Sequence, residues 1–509
     1  MTLPWMPSYR RPTGAYELLP APRPHAKTSS CRRSCHIPRW AKIAAVVFLL
    51  IAVFLIRRKW VRGLILPWSD EGMPPLYSEY HAHELGLPQH RLDSDVQPAG
   101  ANTKYLWVAN HVWRSGWGNA MQEQLLNHYI AYRAGRSFVF GNYTWWRHGL
   151  YSSWNGKPIP AQIPYSALIQ GPTVGAPMRT DPTAPLAVVK EFWDEVCPHP
   201  VVVRSTDVVK MLGGRTTTAE LLIDKWVEML NSIESPCVEV KRSSPSTFDI
   251  YVFGDPDRLL DAWPGFSTSP ILTEFGWAPL VERAFDANRE TISPFITGEP
   301  YLSLTPFTGT GAERYTTIRG LLALHVRRGD FEEHCRNLAD WDAGYTGYNA
   351  FPALPDKFVK PRGVSRDEKR EFYREHCYPS VEEIVRRAEE VRRTQAGRGL
   401  RSVYVMTNAP ASWVEELKAA LHATRHWTHV ASSRDLVLSE EQKHVAQAVD
   451  MLVGERAQVV VGNGFSSLTG QITMLRMANG VSPDTNRHWR PAEYVDSEQP
   501  SGPWERGGS

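Results

Sequence analysis

The chain has 509 residues and a formal net charge of +3, with 42% hydrophobic and 22% charged residues, which are ordinary globular values that exclude disorder for most of it. Residues 1–62 contain 12 Lys and Arg and one acid (+11), whereas residues 63–509 contain 45 bases and 53 acids (−8). Because this second part lacks a positive field, we exclude a protein that binds nucleic acid along its length. Its size predicts two to three domains.

An apolar run, IAAVVFLLIAVFLI, covers residues 43–56 and is flanked by bases and tryptophans. It is shorter than the ~20 residues that usually span a bilayer, but such flanks extend a span. We predict a transmembrane signal anchor over 43–60 rather than a cleaved signal peptide, since a long leader precedes it and no small-residue cleavage site follows. Residues 1–42 then form a disordered basic cytoplasmic tail. Residues 61–100 form a stem, and the body lies in a lumen.

The cysteines and one sequon fit a luminal body. Four cysteines permit three pairings, of which 197–237 and 335–377 close local loops and are favoured. An oxidising lumen permits disulfides, and the absence of C-x-x-C spacing disfavours the alternative of a zinc site. Asn142-Tyr143-Thr144 is an acceptor sequence for N-glycosylation. The four cysteines are Cys197, Cys237, Cys335 and Cys377.

The first half of the body begins with a βαβ pattern. We predict a strand at Tyr105–Ala109, a helix at Asn119–Ala134 and a strand at Ser137–Phe140. Residues 151–183 have the composition of a loop. The alternation continues less clearly through the strand-like Val201–Arg204, the helix-like Thr217–Leu230 and the apolar Ile250–Phe253. Residues 294–313 resemble an interdomain segment or a segment that closes a domain.

The second half alternates more regularly and predicts a parallel, doubly wound sheet. A long loop is expected at 331–362. Two such halves predict an α/β protein with Rossmann-like domains at 101–313 and 314–485 that face a cleft, and a C-terminal tail at 486–509. The predicted strands are Leu321–Val326, Val403–Met406, His429–Ala431 and Gln458–Val461, and the predicted helices are Val381–Thr394, Trp413–His422, Glu440–Arg456 and Ser467–Ala478.

The strongest motif is HVRRGD, residues 325–330, directly after an apolar strand. Ligands bind at the carboxyl ends of the strands in such sheets, and a guanidinium group there suits phosphate. His325 and Asp330 would orient the arginine or bind sugar hydroxyls. The plainer alternative is a pair of surface salt bridges.

Two glycine-containing segments also follow predicted strands. SGWGNA, residues 115–120, would let backbone approach a phosphate at a helix start, although Asn119 is also a good N-cap. GNGFSSLT, residues 462–469, combines hydroxyl groups with free N–H groups at a helix start, and a simple Ser/Thr cap explains part of it. Upstream, Asp450 lies in an apolar helix, where it would bind a nucleotide base or form a buried ion pair.

Together with VYVMTN at 403–408, these three segments resemble the GDP-fucose protein O-fucosyltransferase family. The resemblance implies a GT-B fold and inverting transfer of fucose from GDP-fucose to a protein Ser/Thr or glycan hydroxyl. It implies a type II protein of the Golgi or endoplasmic reticulum, held in the membrane through 43–56. No cofactor and no metal are expected, since the D-x-D triplets at 93–95, 255–257 and 340–342 fall in the stem and in loops.

The resemblance assigns roles to individual residues. Arg327 would bind the β-phosphate and stabilise the departing GDP, and Asp450 would contact guanine. Gly118 and Asn119 would approach the sugar diphosphate or the acceptor. Further donor-site residues are His325, Ser466, Ser467 and Thr469, with Asp330 and Asn463 as support.

The chain departs from the family pattern at Ala120, where the family has Gln, and at Asn408, where it has Asp. No acid lies between Trp107 and Met121, so the general base is unassigned. Two alternatives therefore stay open: an α1,2-type fucosyltransferase that acts on glycans, and a catalytically silent sugar- or peptide-binding protein on the same fold.

Overall fold

The computed structural model describes residues 73–91, 103–213, 217–296 and 298–491. These residues all belong to one compact unit, 71–509. Within these ranges no helix is both long and apolar enough to cross a bilayer. The predicted anchor at 43–60, the basic tail and much of the stem lie outside the described residues.

The elements up to residue 314 include a run of seven short strands over residues 137–189 and a run of four short helices over residues 250–273. The strands are β1 (Tyr105–Val108), β2 (Ser137–Phe140), β3 (Asn142–Thr144), β4 (Tyr151–Trp154), β5 (Lys157–Pro160), β6 (Gln162–Pro164), β7 (Ile169–Gln170), β8 (Val188–Val189), β9 (Val201–Val203), β10 (Cys237–Val240) and β11 (Gly276–Trp277). The helices are α1 (Ser78–Leu85), α2 (Trp117–Arg133), α3 (Lys190–Val196), α4 (Ser205–Met211), α5 (Ala219–Asn231), α6 (Ile250–Phe253), α7 (Pro256–Leu259), α8 (Trp263–Ser267), α9 (Pro270–Thr273), α10 (Pro279–Ala287), α11 (Arg289–Ile292) and α12 (Gly311–Arg314).

The elements after residue 314 form a series in which one or more helices separate successive strands. The strands are β12 (Ile318–Val326), β13 (Ser402–Thr407), β14 (His429–Ser432), β15 (Ala457–Gly462) and β16 (Asn486–His488). The helices are α13 (Phe331–Asp340), α14 (Arg366–Cys377), α15 (Val381–Arg393), α16 (Ala411–Ala423), α17 (Glu440–Lys443), α18 (Ala446–Arg456) and α19 (Ser467–Ala478).

Each half of the body contains a five-stranded sheet in which every pair of neighbouring strands is parallel. The first has the order β8-β2-β1-β10-β9 and the second β14-β13-β12-β15-β16. The central strands β1 and β12 are almost wholly buried, which explains their continuous apolar sequences, because helices cover both faces of such sheets. The predicted α/β class with parallel sheets is confirmed.

The first half differs from the prediction at three places. Residues 250–253, expected to continue the strand alternation, form the short helix α6, because the Asp249 carboxylate accepts a hydrogen bond from the Val252 N–H and caps it. The strand that pairs with β1 on the side away from β2 is instead β10, a short run interrupted by Glu239 that gave little apolar signal. Residues 151–183, expected as a loop, contain antiparallel pairs, β4 with β5 and part of the β3–β6 and β7–β11 pairs.

The second half differs from the prediction in two ways. It contains a helix where we expected a loop, and the domain extends past its predicted C-terminal end. Residues 331–340 form α13, and α14 begins at a capping box made by Ser365 and Glu368. Residues 486–488, assigned above to the tail, form the edge strand β16, which pairs with β15. Trp489 follows it and is buried, so the domain continues past residue 485.

Two disulfides confirm the favoured pairing. Cys197 is bonded to Cys237, which joins the end of α3 to β10. Cys335 is bonded to Cys377, which joins α13 to α14 beside the second sheet. Each bond closes a segment of about 40 residues and thereby reduces the entropy of the unfolded chain.

Candidate functional site

Strand β12 is the central strand of the second sheet, and the HVRRGD residues lie where it ends, at the carboxyl edge of that sheet. Gly329 takes a left-handed conformation, with φ of 63°, which turns the chain sharply after the strand. The two arginines before it consequently point to different surroundings. Their contacts decide which one is available to a ligand.

Arg328 is a structural residue. Its guanidinium lies 4.4 Å from the ring centre of Tyr378 and 4.1 Å from that of Trp413, and it donates to the Pro379 carbonyl. Burial lowers its pKa to about 10. With its faces and one edge occupied, Arg328 anchors the strand end to the helices α14 and α16.

Arg327 keeps its guanidinium partly exposed. One terminal nitrogen donates to the Asp330 carboxylate at 3.0 Å, and the group lies 4.7 Å from the ring centre of Phe331. Its Nε is buried and has no hydrogen-bond partner among the described residues. An unsatisfied buried donor is rare in folded proteins and is expected where a ligand supplies the acceptor. Arg327 is therefore the arginine of this motif that is arranged to receive an anion.

Asn408 holds the turn that carries both arginines. Its side-chain oxygen accepts from the Arg328 N–H at 2.8 Å, while its amide nitrogen donates to the Arg328 carbonyl at 2.9 Å and to Asp330 at 3.2 Å. A carboxylate at this position has no hydrogen to donate. The departure from the family pattern at Asn408 thus has a structural reason, since its amide makes donor bonds that Asp cannot.

His325 lies inside the sheet. Its Nδ1 is 2.7 Å from the Thr469 hydroxyl, and that hydroxyl also accepts from the Asn463 N–H at 3.1 Å. Burial, followed by the charge of Arg327, lowers the His325 pKa to about 3, so its imidazole is neutral at neutral pH. The side chains of His325 and Thr469 are occupied with each other, which makes them supports that fix the start of α19.

Asn349 holds the loop between β15 and α19 through hydrogen bonds to its backbone. This residue was not identified from the sequence. The amide of Asn349 donates to the carbonyls of Gly464 and Ser466, each at 3.0 Å. Asn463 contributes from within the loop, donating to the Cys377 carbonyl at 2.7 Å. With these carbonyls bound, the first N–H groups of α19 stay free by position, which is the arrangement that binds phosphate.

The glycine segment of the first half meets this same helix start. A Cβ placed on Gly118 would lie 2.8 Å from the Leu468 nitrogen and 2.9 Å from the Ser467 carbonyl carbon. Deeper in the contact, Gln471 donates to Gln122 at 3.2 Å. The structure therefore brings the two glycine segments together, with glycine at the point where two backbones touch.

Asn119 is not the N-cap that the sequence suggested. Helix α2 begins at Trp117, with Gly116 as its cap, so Asn119 lies in the first turn. Its side chain is exposed and donates to the Ser115 hydroxyl at 2.9 Å. Asn119 thus remains available at the surface of this junction.

Asp450 lies on α18 and is partly buried. Its carboxylate accepts from the Tyr404 hydroxyl at 2.8 Å and from the Ser433 hydroxyl at 2.8 and 3.0 Å, and burial raises its pKa to about 7. Neither predicted alternative is shown by these contacts: the partners are neutral hydroxyl groups rather than a base, and guanine recognition stays a prediction.

Glu123 is an acid that sequence reasoning missed, because it lies just past the stretch searched for a base. One carboxylate oxygen accepts from the Val112 N–H, and the other is buried without a partner. Burial raises the Glu123 pKa to about 7. Its position on the second turn of α2 supports the loop that leads into the glycine segment.

The chain also matches a known family. A family model described as GDP-fucose protein O-fucosyltransferase matches residues 302–479. The resemblance drawn from the motifs is confirmed, and with it the assignment to the fucosyltransferases. The matched segment contains Arg327, Asn408, Asp450 and Ser467, whereas the Gly118 segment lies before it.

The chain is also similar to solved fucosyltransferase structures. The crystal structure of POFUT1 in complex with GDP-fucose shows 14% identity, covers 76% of this chain and 98% of that chain, and has a TM-score of 0.44. The apo form of POFUT1 has 13% identity, the same coverage and a TM-score of 0.42. NodZ α-1,6-fucosyltransferase soaked with GDP-fucose has 11% identity, covers 73% and 92%, and has a TM-score of 0.34. No curated protein matches the chain.

Three of the four acids of the D-x-D triplets in the body have other partners. Asp255 caps α7, Asp340 is bound by Arg366 and Arg370, and Asp342 pairs with Lys369. In the part of the chain that the structure describes, no group of three His, Cys, Asp or Glu side chains is placed to hold a metal ion. The triplet at 93–95 lies outside the described residues. The Asn142 amide donates to Gln162, and its glycosylation stays a prediction.

Proposed function

We propose that this fucosyltransferase-family protein transfers fucose from GDP-fucose to a hydroxyl group of a protein Ser/Thr or a glycan, with inversion at the sugar carbon. The observation that carries the proposal is Arg327. Its partly exposed guanidinium, with a buried Nε that lacks a partner, stands at the end of the central strand of the segment that matches the family. In the proposed GT-B arrangement, this edge faces the donor from the second domain.

The donor diphosphate binds between Arg327 and the first N–H groups of α19. The planar guanidinium donates from two nitrogens, and the helix start adds unpaired N–H donors and a partial positive charge. Ser466 and Ser467 stand at the cap and first residue of that helix, with Ser467 half-buried next to Gly118. Asn119 reaches the same junction from α2.

Transfer breaks the bond between the sugar C1 and the β-phosphate oxygen while the acceptor oxygen attacks from the opposite face, and the proton of the acceptor hydroxyl passes to the released diphosphate. Negative charge grows on the β-phosphate in the transition state, and Arg327 stabilises it there. One preorganised donor of this kind contributes about 3–4 kcal/mol. The neutral imidazole of His325 takes no part in proton transfer in this scheme, because its Nδ1 is occupied by Thr469. It keeps α19 in place.

The protein is proposed to act as a type II membrane protein of the Golgi or endoplasmic reticulum, anchored through residues 43–60. The two disulfides support this, because such bonds persist in oxidising compartments and are rare in the cytosol. The basic residues before the apolar run favour a cytoplasmic N-terminus.

Donor binding and donor cleavage test the proposal separately. Calorimetry on the full-length protein compares GDP-fucose with GDP-mannose and UDP-galactose, while released GDP is measured with water or added glycan and peptide as acceptor. We expect selective binding of GDP-fucose, release of GDP and a product of inverted anomeric configuration by NMR. Failure to bind any GDP-sugar would refute the donor. Binding without release would favour the catalytically silent alternative.

A further inference from the structure

A cluster of arginines and tryptophans lies at the carboxyl edge of the first sheet. It comprises Trp113, Arg114, Trp146, Arg147 and Arg242, here called the arginine–tryptophan cluster. These residues follow the three adjacent parallel strands β1, β2 and β10, directly or through the short strand β3. The carboxyl ends of neighbouring strands are where sheets of this class bind ligands.

The tryptophans hold the arginines in place. The guanidinium of Arg114 lies 5.0 Å from the ring centre of Trp146, and that of Arg147 lies 4.7 Å from the ring centre of Trp113. The two rings are 5.6 Å apart. Stacking on an aromatic ring leaves the N–H edges of a guanidinium free to donate.

The cluster carries positive charge that nothing nearby neutralises by ion pairing. Among the described residues, no carboxylate lies within ion-pair distance of Arg114, Arg147 or Arg242, whereas Arg133 in the same half pairs with Glu220 and Asp224. Arg147 donates to the His111 carbonyl at 3.4 Å. Burial, and after it the charge of Arg242, lowers the pKa of Arg147. Burial raises the pKa of Glu239, and the charges of Lys190 and Arg242 oppose that rise.

The backbone presents this cluster at a fixed place. Arg114 has a left-handed φ of 54°, and its N–H donates to the Thr144 carbonyl, which ties the two loops together. Four residues later Gly118 touches the start of α19. The cluster therefore lies on the first-domain side of the junction whose other side carries the donor residues.

We propose that the arginine–tryptophan cluster binds the acceptor, and that the acceptor is an acidic polypeptide whose Asp or Glu side chains pair with Arg114 and Arg242. This inference rests on the proposed function. Guanidinium groups already cover part of the ring surfaces with which Trp113 and Trp146 would stack on a sugar, so an acidic polysaccharide fits less well.

The test uses fluorescence anisotropy on the full-length protein. The probe is a fluorescein-labelled dodecapeptide of alternating Glu and Thr, and its counterpart has Gln in place of Glu. The test variant is Arg114→Gln/Arg242→Gln, which leaves Arg147 and its bond to the loop intact. The matched control is Arg393→Gln, an exposed arginine at the end of α15, on the opposite edge of the second sheet.

We expect the wild type to bind the Glu peptide more tightly than the Gln peptide. The test variant should bind the Glu peptide about tenfold more weakly than the wild type does. Binding should fall with rising salt, and Arg393→Gln should bind as the wild type does. Calorimetry with GDP-fucose should give the same affinity in all variants.

Three results would overturn the proposal. They are equal binding of the two peptides, binding of labelled polygalacturonate with no binding of the Glu peptide, and loss of GDP-fucose affinity in the test variant, which would place the cluster in the donor site. Absence of GDP-fucose binding by the wild type would refute the proposed function itself. In that case, peptide binding would still show whether the arginine–tryptophan cluster binds an acidic polypeptide.

Discussion

The junction between the two halves depends on the absence of a side chain at Gly118. In Gly118→Ala the new Cβ would lie 2.8 Å from the Leu468 nitrogen, whereas ordinary contact begins at 3.4 Å. Because the opposing atoms are backbone, the starts of α2 and α19 must separate by about 0.6 Å. We expect a cost of about 1–3 kcal/mol for this overpacking. The better helix propensity of Ala offsets up to about 1 kcal/mol of it.

Gly116 provides a matched control. It caps the same helix with φ of −61°, and a Cβ there meets nothing within 4 Å. Urea unfolding of wild type, Gly118→Ala and Gly116→Ala gives the free energies of unfolding, and calorimetry gives the GDP-fucose affinity of each. We expect Gly118→Ala to lose affinity for GDP-fucose as well as stability. If it matches Gly116→Ala in both, the close approach of α2 and α19 at this point is refuted.

Three further changes test other parts of the structure. Burial raises the pKa of Asp450 to about 7, so the native state holds this proton more tightly than the unfolded state, and stability from it is lost as pH rises from about 4 to 7. The melting temperature of Asp450→Asn relative to wild type should therefore rise across that interval, and a difference independent of pH would contradict the assignment. Cys197→Ser should lower the free energy of unfolding by up to about 4 kcal/mol in urea, because it opens a loop of 40 residues; peptide mapping that finds Cys197 joined to another cysteine would contradict the pairing. Trp489→Ala should cost about 3–5 kcal/mol, since its buried indole donates to the His325 carbonyl, whereas the exposed Trp154→Ala should cost far less; equal melting temperatures would put residue 489 outside the domain.

The elements predicted best were those with long apolar signals. The strand that ends at Val326 and the helix Ser467–Ala478 were both expected, because periodicity is strong in buried strands and in helices that cover a sheet. Arg327 was preferred over its neighbour only through the family resemblance, and its role toward a ligand stays a prediction. Nothing local distinguishes it from Arg328, whose aromatic partners are 50 and 85 residues away in sequence.

Other features depend on contacts that a single sequence does not display. Asn349 lies in the predicted loop 331–362, and its support of the α19 start exists only in the fold. The strand β10 is short and contains Glu239, so its pairing with β1 gave no clear period. The arginine–tryptophan cluster is likewise assembled from three separate loops that only the sheet order brings together.

Release of GDP from GDP-fucose by Arg327→Ala tests the central claim most directly. The matched control is Arg336→Ala, which removes an exposed arginine paired with Glu332 on α13. Loss of one preorganised donor predicts a fall in the rate by about 100-fold or more, with the rate of Arg336→Ala unchanged and both variants folded by circular dichroism. A rate for Arg327→Ala within about twofold of the wild type, well short of that loss, would contradict the account.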